Sequence, residues 1–180
     1  QSGKSSDKNV NAYYAGANLG YAVTGKFKAG LGYEFLSGKD QNDVSTDFKS
    51  FTPLFGTNHG FNGFMDYFYV GNHQNNVGLS DAFLKLNYTQ NKWQFNLIPH
   101  VFSAPNTVLD ASNVIMDSYL GTEIDFTAGY AIHKDIMATA GYSQMFGSNT
   151  LERLKGGDAG NTNNWVWVMV SFNPRLFSMK

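Results

Sequence analysis

The chain has 180 residues, with 13 Lys and Arg against 14 Asp and Glu, a formal net charge of −1 and no cysteine. That balance gives no bulk attraction to nucleic acid, and the missing cysteines exclude disulfides, thiolate metal sites and cysteine nucleophiles. Charged residues are only 15 % and aromatics 16 %, against roughly 25 % charged in a typical soluble domain, yet no run approaches the ~18 apolar residues of a membrane helix.

The first residues, Gln1 to Lys8, are polar and carry no apolar signal-peptide core. They read as a loop of a processed chain, or of one that begins inside a longer protein. From residue 13 onward the signal is alternation with period two. Tyr13, Ala15, Ala17, Leu19, Tyr21 and Val23 share one face, against Tyr14, Gly16, Asn18, Gly20 and Ala22. After a tight turn at 24–26, Phe27, Ala29, Leu31, Tyr33 and Phe35 oppose Lys28, Gly30, Gly32 and Glu34.

A second hairpin sets Ala82, Leu84, Leu86 and Tyr88 against Asp81, Phe83, Lys85 and Asn87. It turns at 89–92 and returns with Trp93, Phe95, Leu97, Pro99 and Val101 against Gln94, Asn96, Ile98 and His100. Pro99 lacks the N–H that a strand interior donates, so a bulge or kink is expected there. A third hairpin opposes Leu120, Thr122, Ile124, Phe126, Ala128 and Tyr130 to Gly121, Glu123, Asp125, Thr127 and Gly129. It turns at 133–135 and returns through 136–146, and a last strand follows at 165–173.

Three tight turns alternate with three long polar connections at about 39–77, 105–117 and 148–164. Short turns on one side, long loops on the other and one wholly apolar face are the pattern of a transmembrane antiparallel up-and-down β-barrel. The expectation is therefore an all-β barrel in the bacterial outer membrane, with residues 1–180 forming a single barrel domain or the C-terminal part of a larger one. Seven strands are counted, and an even number is normal for such barrels; residues 64–70 are read as loop, because an eighth strand there would reverse the short–long rhythm. A soluble barrel with its apolar face inward is the alternative, but the other face is poor in Lys and Glu for a soluble surface.

The segment Phe51-Thr52-Pro53-Leu54-Phe55-Gly56-Thr57-Asn58-His59-Gly60-Phe61-Asn62-Gly63-Phe64-Met65-Asp66, leading to Gly78-Leu79-Ser80-Asp81, resembles the alginate-export porin family of outer-membrane proteins. The resemblance implies a passive channel and marks Phe55, Gly56, Thr57, His59 and Asp66 as its loop motif. The lumen-lining set assigned by alternation is Lys28, Glu34, Asp81, Lys85, His100, Glu123 and Asp125. Its carboxylates outnumber its lysines, which does not suit a polyanion such as alginate.

The expected function is passage of a polar solute or polysaccharide, with outer-membrane lipid as the surrounding partner. The alternative is a non-conducting outer-membrane barrel that docks other envelope proteins. No enzyme activity, cofactor or nucleic-acid partner is expected. His59 and Asp66 have no Gly-x-Ser-x-Gly nucleophile beside them, and Ser103 falls on the opposite face from His100. Asp40, Asn42, Asp43 and Asp47 offer oxygen ligands but lack the spacing of a calcium loop, so no metal is expected.

Overall fold

In the computed structural model, residues 1–53, 59–60, 62–68, 76–175 and 177 are described. A small hairpin comes first, β1 (Ser2–Ser5) and β2 (Lys8–Asn11), closed by Ser6 and Asp7 at positive φ. Two consecutive left-handed residues match the twist of a two-residue hairpin turn. Where a loop was expected, this hairpin forms its own sheet and is bonded to Phe48 through Asn11 N and Asn9 O.

The main sheet is a meander of seven antiparallel strands. These are β3 (Tyr14–Ala22), β4 (Phe27–Leu36), β5 (Leu79–Gln90), β6 (Trp93–Ser103), β7 (Tyr119–His133), β8 (Ile136–Gly147) and β9 (Asn163–Phe172). Each strand pairs with the next in chain order, so β3 and β9 are opposite edges and pair with no further strand among the described residues. The sheet is open. This overturns the expected closed barrel, whose defining feature is the bond between first and last strands. Among the described residues, no helix is long and apolar enough to cross a membrane.

The register confirms which side chains share a face. Leu19 pairs with Leu31, Leu31 with Leu84, Leu86 with Leu97, Leu97 with Phe126, Phe126 with Tyr142 and Tyr142 with Val166. One apolar face therefore crosses all seven strands, and among the described residues no second layer lies on it: Leu19 is 80 % exposed, Leu31 66 % and Val168 75 %. Pro99 does not produce the expected bulge. The β5–β6 pairing skips Leu84 and Lys85 and then resumes in the same register, while the register shifts fall at Phe102/Ser103 and Ala131/His133. The missing proline N–H interrupts the ladder without displacing it.

The buried core lies at the end of the sheet where the long connections leave it. Leu36, Leu79, Phe102, Leu120 and Met145 come from five strands, and Phe68, Val77, Val108 and Leu151 from the connections that fold over them. Leu151 belongs to α1 (Asn149–Lys155), capped by the Ser148 hydroxyl, which accepts from Leu151 N. The connections are tied to one another: the Asp40 carboxylate accepts from Thr107 N at 2.6 Å, the Gln41 carbonyl from Leu109 N at 2.7 Å, and Arg153 Nε donates to Leu109 O at 3.1 Å.

Gly38 sits where the chain leaving β4 meets the chain entering β5. A Cβ there would lie 2.0 Å from both Gly78 N and Val77 C, and backbone cannot yield as a side chain can. Gly38→Ala should therefore destabilise the fold by about 2 kcal/mol or more in urea titration, whereas Gly20→Ala, with open space around it, should change stability little.

Candidate functional site

The polar residues of β4 to β8 converge because the register aligns them. Glu34 stands opposite Asp81, Phe83 opposite His100, His100 opposite Glu123, and Asp125 opposite Ser143. Asp81, His100, Glu123, Asp125 and Ser143 are buried. Few soluble proteins bury so many ionisable groups together without partners for each, and here most of those partners come from the connection between β4 and β5.

That connection crosses the polar face as a strap. Asn62 Nδ2 donates to Glu34 Oε2 and to Asp81 Oδ2, each at 3.1 Å. Phe64 N donates to Asp125 Oδ2 at 3.1 Å, and Met65 N to Glu123 Oε1 at 2.8 Å. Gly63 lies between these donors at φ 81°. A Cβ on it would meet the Glu123 carboxyl at 2.6 Å, so both its backbone conformation and the space demand glycine. The strap is closed on itself by Asp66, whose carboxylate accepts from Gly60 N at 3.1 Å and sits 2.8 Å from His59 Nδ1. The His59 ring meets Trp165 of β9 edge-on at 5.3 Å between centroids.

Under the strap, His100 Nδ1 lies 2.9 Å from Asp81 Oδ1, and its Nε2 lies 3.8 Å from Asp125 Oδ2. Ser143 Oγ donates to Asp125 at 2.5 Å rather than to His100. The serine's partner is thus Asp125 and not His100, and the histidine has a carboxylate at each nitrogen, so the order Ser–His–Asp of a nucleophile triad is not formed. A cavity of about 240 Å³ opens beside the cluster, walled by Glu34, Asp81, Asp125, Lys85, Phe64 and Phe83 among others. Lys85 Nζ lies 4.7 Å above the Phe83 ring.

Of the residues assigned by alternation, Glu34, Asp81, His100, Glu123 and Asp125 come together on one face with Lys85 at the rim. Lys28 shares the face but pairs with Asn87, toward the tight turns, away from this cluster. With the sheet open, the face encloses no lumen among the described residues. His59 and Asp66 form a pair; Phe55, Gly56 and Thr57 lie outside the described residues. Sequence reasoning missed Asn62, Gly63, Ser143 and the two strap N–H groups. The carboxylates Asp40, Asp43 and Asp47 do not share a centre: they meet Thr107 N, Lys49 Nζ and Asn9 Nδ2 respectively. Among the described residues no group of three or more His, Asp or Glu side chains is placed to hold a metal.

No family model matches the chain, and no curated protein aligns with it. The resemblance to the alginate-export porins is therefore not supported. The channel, and the alternative of a docking barrel, both needed a closed barrel and fall with it. The same findings remove the basis for the outer-membrane location and for lipid, transported solute or polysaccharide, and envelope proteins as partners.

Burial, and then the charge of Asp125, push the Glu123 carboxyl up to about 8. A carboxyl with a raised folded pKa binds more protons folded than unfolded, so its contribution to stability falls as pH rises from about 4.5 to about 8 and is level beyond. Denaturant titrations across that window should show the wild type losing stability. Glu123→Gln, which mimics the protonated acid, should flatten the profile.

Proposed function

We propose that this chain is a non-enzymatic assembly module whose uncovered apolar sheet face packs against the same face of a second copy. The observation that carries this is the continuity of that face over seven strands with no layer upon it among the described residues. Contiguous exposed apolar patches of more than a few hundred Å² mark interaction sites. Here Leu19, Tyr21, Leu31, Val166, Val168 and Phe172 are each more than 60 % exposed. With the aromatic and aliphatic side chains between them, the face offers on the order of 1,000 Å² or more, above the ~800 Å² per partner of a standard interface.

The chemistry of the face favours an identical partner. It carries no charged side chain within the paired strands, so two copies can meet without burying an unpaired charge. Polar groups at its long-connection margin are bonded within the sheet: Ser80 Oγ donates to Tyr33 Oη at 2.6 Å, Tyr119 Oη and Thr122 Oγ1 are 2.8 Å apart, and Gln144 Nε2 donates to Asn163 O at 2.9 Å. Two twisted sheets stacked at about 10 Å would complete a sandwich. The buried carboxylates support a structural rather than a chemical role, since they hold the strap and Glu123 is fully buried.

Sedimentation velocity should give twice the chain mass in detergent-free buffer. Leu31→Arg and Val168→Arg, on β4 and β9, should each return the chain to monomer with an unchanged far-ultraviolet spectrum. A wild-type monomer at all concentrations, or a chain that is dispersed only by detergent or lipid vesicles, would contradict the reading.

A further inference from the structure

A second recess lies where the long connections leave the sheet, between the segment after β4 and the end of α1. Its volume is about 680 Å³, within the range of small-molecule sites. The floor is apolar, built from Phe68, Val77, Leu120 and Leu154, and three lysines stand around it, Lys8 on β2, Lys39 on the segment after β4 and Lys155 on α1. Three unrelated elements thus bring ammonium groups to one cleft.

The charges in this cleft are not equivalent. Each carboxylate lining it accepts a hydrogen bond, from a cation at Asp43 and from neutral donors at Asp40 and Asp47. Asp40 accepts from Thr107 N, which holds its carboxyl below the usual range. Asp43 is paired with Lys49 at 2.6 Å and accepts from Ser45 N at 2.8 Å, and Asp47 accepts from Asn9 at 3.1 Å. The three lysines have no such match. Lys8 lies 5.2 Å above the Phe48 ring, Lys155 lies 5.5 Å above the Phe68 ring, and Lys39 donates to the Ser45 carbonyl. None of them is within ion-pair distance of a carboxylate among the described residues.

An apolar floor with unmatched ammonium groups around it selects for a ligand with both characters. We propose that the cleft binds a small organic anion, an aromatic or aliphatic body that carries a carboxylate or phosphate. The body would rest on Phe68 and Leu154 while the oxyanion meets Lys39 and Lys155. This site is on the strap side of the sheet and is independent of the apolar face.

Phenyl phosphate and inorganic phosphate serve as probes in isothermal titration with the full chain. Saturable binding of phenyl phosphate is expected, weakening as salt rises, and at least tenfold weaker in the Lys39→Ala, Lys155→Ala double variant. Lys8→Ala, on a separate element, is the second variant should the double variant not fold. Leu31→Arg should leave binding unchanged, which separates this site from adsorption to the apolar face. No saturable binding, the same affinity in the lysine variants, or equal affinity for inorganic phosphate would overturn the proposal.

Discussion

Alternation of apolar and polar side chains along seven consecutive strands constrains everything else in this molecule. Because successive strands pair in register, the alternation is not averaged out across the sheet but added up, from Leu19 on β3 to Val166 on β9. The result is a sheet with one oily face and one polar face. The chain uses its own long connections to cover the polar face, and that choice leaves the oily face uncovered among the described residues. In a sheet of this size the uncovered face is the larger energetic debt, since apolar burial is the main favourable term in folding and association.

The polar face shows why the connections go where they do. Carboxylates at Glu34, Asp81, Glu123 and Asp125 are drawn together by strand register, and a group of buried acids is costly without donors. The strap supplies them, from Asn62 Nδ2, Phe64 N and Met65 N. Glu123 meets the remaining cost by holding its proton. The same residues that suggest a proton-transfer site in one dimension act in three dimensions as the anchor of a loop, with His100 clamped between Asp81 and Asp125.

The strands and their hairpins were legible because periodicity is a local property, and the facing sets predicted from it are the ones the register pairs. Closure was not legible. Whether the first and last strands meet depends on twist and curvature summed over the sheet, which no short window of sequence carries, and the alternating loop lengths are equally compatible with an open meander. Helix α1 could have been read: Ser148 precedes it, Glu152 lies in its first turn, Arg153 and Lys155 in its last, and Gly156 follows. Its polar, glycine-flanked surroundings disguised it as loop. The N-terminal hairpin is short and polar, and Ser6-Asp7 is a turn signal weaker than Asn-Gly. Within the site, the carboxylates and His100 were found by alternation, but Asn62 and the strap N–H groups were not, because backbone donors leave no mark in composition and the strap reaches the carboxylates from 19 to 61 residues away in sequence.

Whether the apolar face is covered by a second copy can be tested on the face itself. The chain has no cysteine, so single cysteines placed at Leu84 on the apolar face and at Gln94 on the polar face can be alkylated without background. With a second copy on the face, the Leu84 position is protected relative to Gln94, and that protection is lost as the protein is diluted through its dissociation range. Equal alkylation of both positions at every concentration, or protection at Leu84 that appears only when detergent or lipid is added, would contradict it.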